Sequence, residues 1–132
     1  MKALLLGLAL AVTAAAPAPI AGRWVTDTGQ ALVAIAPCGK AMCGRIVKLL
    51  KPTPGKPAVD ANNPDPKLRT RPIQGITILT GLMPAADGWR GTVYDPKSGK
   101  TYTARVWRAG AGLKVEGCWG AFCRTQDWSA AR

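Results

Sequence analysis

Four cysteines stand in two matched pairs, Cys38-Gly-Lys-Ala-Met-Cys43 and Cys118-Trp-Gly-Ala-Phe-Cys123, and they constrain this chain more than any other feature. An even cysteine count in a small domain implies disulfides wherever cytosolic reductants do not reach. The start of the chain points to such a compartment. Met1-Lys2 is followed by an apolar run from Ala3 to Val12 and a small-residue tail, Thr13-Ala14-Ala15-Ala16. The run falls short of the ~20 apolar residues of a membrane span, but a basic start, a Leu-rich centre and a small-residue end are the parts of a secretory signal. The expectation is a signal segment over residues 1–16, cut near Ala15 or Ala16, and one domain over residues 17–132. The protein is then periplasmic or secreted, with no transmembrane span.

With 132 residues in all, the chain has room for a single modest core, of a size that benefits from cross-links. Its 18 Lys and Arg outweigh 7 Asp and Glu, for a net charge of +11. The basic residues are scattered, so the charge is spread over a folded surface. Inside a cell that balance would suggest nucleic acid. For an exported protein no nucleic acid is expected, and anionic lipid, lipopolysaccharide or a small ligand are the available partners. Histidine is absent and Glu116 is the sole glutamate. The usual neutral-pH proton shuttle and the commonest metal ligand are therefore missing, and Ser98 and Ser129 have no base for triad-type catalysis. No catalytic residue, metal or cofactor is assigned.

Short runs rich in Val, Ile, Thr and Trp alternate with Gly, Pro, Asp and Ser clusters, the pattern of an all-β domain with hairpin connections. Strands are predicted near 23–26, 31–36, 45–50, 74–82, 89–94, 101–108, 113–118 and 123–128. Alternation supports them: Trp89, Gly91 and Val93 share one face and Arg90, Thr92 and Tyr94 the other. Consecutive antiparallel strands of this length close into an up-and-down barrel, because an open meander leaves two bare edges. An open sandwich is the alternative.

The segment from Lys51 to Pro72 breaks the pattern with Pro52, Pro54, Pro57, Pro64, Pro66 and Pro72, which remove the amide donors a strand needs. It reads as one long, rigid loop. Within it Asn63 to Arg69 reads as a single helical turn, capped by Asn63 with Pro64 at the first helical position.

Several segments resemble a known family: Gly22-x-Trp24, Cys43-Gly44-Arg45-Ile46-Val47, Asp60-x-Asn62-Asn63-Pro64-Asp65-Pro66-x-Leu68-Arg69, Arg71-Pro72-Ile73-x-Gly75, Tyr94-Asp95-Pro96-x-x-Gly99-Lys100-x-Tyr102 and Gly117-Cys118. From Gly22 to Trp128 the chain resembles the bacterial exported family of domain of unknown function 2147. The resemblance implies a β-barrel and no established biochemical role. It departs at the end, where the family has Thr-Arg after the last Trp and this chain has Ser129-Ala130. A looser similarity is to lipocalin-like barrels, which open with Gly-x-Trp and cover that indole with a basic side chain from the last strand. It implies that Trp24 plugs one end and that Arg124 stacks on it.

In an up-and-down order, alternate connections share one rim. One rim gathers Asp27, the long loop, the Asp95 to Lys100 turn and Trp119; the other carries Cys38 to Cys43, Pro84 to Gly88 and Ala109 to Gly112. Candidate ligand-binding residues on the first rim are Asp60, Asn62, Asn63, Asp65, Arg69, Arg71, Asp95, Lys100 and Tyr102, with the long loop as a lid held by Arg69 and Arg71. The bland reading is that these acids and amides serve their own turns. A calcium loop is excluded by Pro64 and Arg71, which stand where oxygen ligands are needed. The two cysteine pairs fall at opposite ends, beyond the ~7 Å between Cα atoms that a disulfide tolerates, so pairing is local and a four-cysteine zinc site is excluded. The expected function is that of an exported, monomeric binding or envelope-associated accessory protein without catalysis. The alternatives are a carrier of a small apolar or amphipathic ligand, opposed if Trp24, Trp89 and Trp107 fill the interior, and an enzyme using Asp with Arg or Lys.

Overall fold

The computed structural model describes residues 2–10 and 16–132. Eight antiparallel strands form one closed barrel in chain order. They are β1 (Gly22–Val25), β2 (Ala31–Cys38), β3 (Ala41–Leu49), β4 (Thr77–Ala85), β5 (Gly88–Asp95), β6 (Lys100–Ala109), β7 (Gly112–Trp119) and β8 (Phe122–Ala130). Most run further than their apolar centres predict, because hairpin pairing continues to the tips, as in Cys38↔Ala41 and Trp119↔Phe122. β4 is the exception at its start: Ile46 on β3 donates its N–H to the Ile76 carbonyl and accepts the Gly75 N–H, strand-like hydrogen bonds that lie outside the regular ladder. Among the described residues no helix is long and apolar enough to cross a membrane. The expected cleavage region at Thr13 to Ala15 lies outside the described residues, and Leu4, Leu5, Leu6, Leu8 and Leu10 are exposed.

Alternation along each strand fills the barrel. Val33, Leu79, Leu82, Val106 and Leu113 are at most 1% exposed and meet Trp24 and Trp128 in a single cluster. Each such aliphatic side chain contributes about 1.5–3 kcal/mol through burial. Trp107 is not part of that filling. It lies between the inward Val106 and the exposed Arg108 on the side where the Arg105 guanidinium stacks 4.1 Å from its ring centre, on the outer surface. Trp89 is half-buried against the core and donates its indole N–H to the Ala18 carbonyl at 3.1 Å.

The end of the barrel where β1 begins is sealed. The Trp24 indole N–H donates to the Ile20 carbonyl at 3.0 Å, and both residues are buried. The cation over Trp24 is Arg108, 5.1 Å from the ring centre and within 3.4 Å of the Pro19 carbonyl. Arg124 therefore does not have the expected stacking role. Trp24 pairs with Ala130, six residues further along β8, and at about 3.3 Å per residue Arg124 lies near the other rim. The basic partner comes from β6, at the closed end.

The pairs Cys38–Cys43 and Cys118–Cys123 form disulfides, each bracing one hairpin, with Cα separations of 5.8 and 4.1 Å.

Candidate functional site

The long connection between β3 and β4 is fastened through Asp60, whose side chain is completely buried. Its Oδ1 accepts the Tyr94 hydroxyl at 2.5 Å, and its Oδ2 accepts Asn63 Nδ2 at 2.8 Å and Arg71 Nε at 2.9 Å. The backbone closes the same knot, with Asp60 N–H donating to the Arg71 carbonyl and Asn63 N–H to the Asp60 carbonyl. Burial opposes the charge on Asp60, yet the hydrogen bonds from Tyr94, Asn63 and Arg71 together outweigh it and hold the carboxyl below its ordinary range. Burial and the bond to Asp60 push the Tyr94 phenol up to about 12. With both oxygens engaged and no surface exposed, Asp60 is built to hold a loop and is poorly placed to exchange protons with a substrate.

The rest of the connection is similarly self-contained. Asn63 Oδ1 accepts the Asp65 N–H at 2.8 Å, and Arg69 Nε donates to the Asn63 carbonyl at 2.8 Å. The helical turn starts later than its sequence suggests. It is a short 3-10 turn over Pro66–Leu68, capped by Asp65, which accepts the Lys67 N–H at 3.0 Å. Pro66, rather than Pro64, takes the first helical position, and Asn63 sets the preceding turn.

Tyr94 also decides where this loop lies. A side chain on Gly117 would meet Tyr102 Cβ at 3.3 Å and Val93 Cγ1 at 3.4 Å, so Val93 and Tyr102 turn into the barrel. The next residue after Val93, Tyr94, therefore faces outward, beside Thr101. Because Asp60 and Arg71 grip Tyr94, the loop is a strap on the outer side of β5 and not a lid over the mouth. The arginines act differently from expectation: Arg71 pairs with Asp60, and Arg69 holds a carbonyl. The strap continues to the β5–β6 turn, where Asn62 Nδ2 donates to the Lys97 carbonyl at 2.8 Å. Gly99, at φ +71°, is required there, since a Cβ would lie 1.8 Å from the Asn62 carbonyl oxygen. Asp95 serves the same turn by accepting the Lys97 N–H and the Ser98 hydroxyl, each at 3.0 Å.

A different set of residues stands at the same end of β6, β7 and β8. Tyr102 and Trp119 meet edge to face with ring centres 5.8 Å apart, and Lys100 Nζ stands 5.3 Å from the Trp119 ring centre. On β8, Phe122, Arg124 and Gln126 share the side of the buried Trp128, whose indole N–H donates to Gln126 Oε1 at 2.9 Å. Their exposure has a topological cause: β1 pairs with β8 only at Trp24↔Ala130 and Val25↔Ser129, and among the described residues upper β8 pairs with β7 alone. The result is an aromatic lip carrying two cations. Of the nine residues singled out by sequence, Asp60, Asn63, Arg69 and Arg71 meet in the strap, Asn62, Asp65 and Asp95 serve turns, and Lys100 and Tyr102 reach the lip. Sequence reasoning did not select Trp119, Phe122 and Gln126 for the site. The parity of Phe122, Arg124, Gln126 and Trp128 was the available signal. Glu116 lies near Cys118 and Cys123, but both sulfurs are in the disulfide and offer no thiolate for a metal.

This architecture defines a small, closed, lipocalin-like barrel. The chain belongs to the family described as uncharacterized protein conserved in bacteria (DUF2147), whose model matches residues 22–130. It is similar in structure to protein HP1028 from the human pathogen Helicobacter pylori, described as belonging to the lipocalin family, with 22% identity, a TM-score of 0.73, and coverage of 86% of this chain and 84% of that one. That likeness is one of fold. No curated protein matches the sequence.

Proposed function

We propose that this protein is an exported binding protein, without chemistry of its own, that takes a small amphipathic anion at the open mouth of the barrel. The observation carrying this reading is the lip itself: Tyr102, Trp119 and Phe122 supply apolar surface, and Lys100 and Arg124 supply charge beside it. The lower barrel is occupied by Trp24, Trp128 and their aliphatic neighbours, so the ligand's tail rests against the lip and its head group meets the cations. Asp60, Asn63 and Arg71 act at a distance by fixing the β5–β6 turn from which Lys100 extends. Two disulfides suit an oxidising compartment.

Calorimetric titration with dodecanoate tests the reading, with dodecanol as its uncharged counterpart. Saturable binding of dodecanoate, weakened about tenfold by either Lys100→Ala or Arg124→Ala, is expected, a change of about 1.4 kcal/mol in each case. Equal affinity for dodecanol, or an unchanged affinity in both variants, overturns it.

A further inference from the structure

The tip of the β7–β8 hairpin has a property that the mouth does not require. Trp119 is 56% exposed and Phe122 84% exposed, side by side across a two-residue turn of Gly120 and Ala121. The other large apolar side chains exposed on the barrel domain, Leu50, Leu68 and Met83, are less than half exposed. Two adjacent aromatics at a hairpin apex are costly to leave in water, and they are held there: Cys118 and Cys123 cross-link the strands one residue behind them.

The surroundings identify what they fit. Lys100 stands over Trp119, and Arg124 follows the second cysteine. The connections at the same end carry Lys51, Lys56, Lys67 and Lys97, all exposed, against Asp27, Asp65 and Asp95, each of which accepts an amide of its own turn, from Thr28, Lys67 and Lys97 respectively. Glu116, the nearest acid along β7, is occupied by Arg105 on the outer side of the sheet. A small apolar apex flanked by Lys100 and Arg124, at the end of the barrel where the connections carry an excess of lysine, is complementary to an anionic lipid surface: aromatic rings sit at the level of the head groups, and lysine and arginine meet the phosphates. A folded protein partner of matching charge would instead need a broad surface, and this apex is one turn wide.

We propose that the β7–β8 apex is a bilayer-docking element, in which Trp119, Ala121 and Phe122 enter the interfacial layer of an anionic phospholipid membrane while Lys100 and Arg124 bind its phosphates. Docked this way, the barrel mouth faces the membrane. The inference rests on the exposed apex and stands or falls independently of the dodecanoate titration, which is done without lipid.

The test is amide hydrogen exchange of the full chain on vesicles of phosphatidylcholine with 30% phosphatidylglycerol, against pure phosphatidylcholine. Exchange at residues 119–123 should slow at least threefold on the anionic vesicles only, while the other hairpin apex at residues 38–41 is unchanged. Phe122→Ser and Trp119→Ser, both at exposed positions, should abolish that protection, and Lys100→Gln should reduce it, with near-ultraviolet circular dichroism confirming the fold. The apolar run from Leu4 to Leu10 can also bind lipid, and this readout separates it: protection confined to residues 3–10 overturns the proposal. So does equal protection at both apices, which marks general attraction of a basic protein, and so does protection at 119–123 that survives both apex substitutions.

Discussion

Tyr94 on β5 donates its phenolic hydrogen to Asp60 Oδ1 across 2.5 Å, tying a barrel strand to the middle of the longest connection in the chain. Removing the hydroxyl leaves a fully buried carboxylate with one donor fewer. Tyr94→Phe should therefore destabilise the protein by about 1–3 kcal/mol in urea unfolding. It should also speed amide exchange from Ala58 to Ile73 well before β6 is affected. An unchanged unfolding midpoint would mean that the strap contributes nothing to stability.

Asp60 and Tyr94 also set limits at the two ends of the pH scale. The folded Asp60 loses its proton more readily than at its ordinary value of 3.8, so its contribution is complete above that value and disappears as pH falls through the lower, folded value. Tyr94 has the opposite sign: the folded phenol keeps its proton to about 12 against an ordinary 10.0, so its contribution is complete below pH 10.0 and is lost on the way to 12. Unfolding midpoints across both ranges check this. Asp60→Asn should flatten the acid limb, apart from the share of Asp87, held low by its hydrogen bond with Arg90. Tyr94→Phe should flatten the alkaline limb.

Arg108 and Arg124 give a direct contrast between the two rims. Arg108→Ala removes the cation over Trp24 and the contact with the Pro19 carbonyl, and should lower stability by about 1 kcal/mol. Arg124→Ala changes an exposed side chain and should stay within about 0.5 kcal/mol. Thermal melts of the two variants distinguish the roles.

At Gly99 the β5–β6 turn comes close to the backbone of the strap at the Asn62 carbonyl. Gly99→Ala puts a methyl group into the Asn62 carbonyl at a positive φ, and should cost about 2 kcal/mol or more. If the melt is unaltered, the close approach of Asn62 to this turn is not needed for folding.

Each disulfide closes a very short loop, for which the loop-entropy relation gives about 2 kcal/mol. Replacing Cys118 and Cys123 together by Ser should cost about that much and leave Cys38–Cys43 intact, as peptide mapping without reduction would verify. A peptide linking cysteines from opposite ends contradicts the local pairing.

The barrel was legible because its signals are local and repeated: alternation as in Trp89, Gly91 and Val93, and turns such as Asp95 to Gly99. The rims follow from connectivity alone, which is why the order of the strands already implies local disulfide pairing. The side of the strand on which a loop settles is a different kind of information. The long connection carries its own prolines and arginines, but its position is fixed by Tyr94, a residue of β5 whose outward parity was already evident. Arg124 was assigned to Trp24 by analogy with the last strand of other barrels. The stagger that pairs Trp24 with Ala130 instead puts β6 and its Arg108 within reach. Lys100 and Tyr102 mark the β6 side of the lip in the sequence, but its β8 side is not legible there, because that exposure comes from what β1 fails to cover, and a strand's neighbours are not written in its own residues.

The seam between β1 and β8 consists of the pairs Trp24↔Ala130 and Val25↔Ser129, reinforced by the Ala131 N–H donating to the Arg23 carbonyl at 2.9 Å. Every other strand pairing joins neighbours along the chain, whereas this one unites segments separated by nearly its whole length. Bringing such distant segments together carries the largest loop-closure entropy in the molecule, and few contacts reward it. The long sequence separation of this seam predicts that closure comes late in folding, with the hairpins pairing first and the cylinder completed when its two ends find one another.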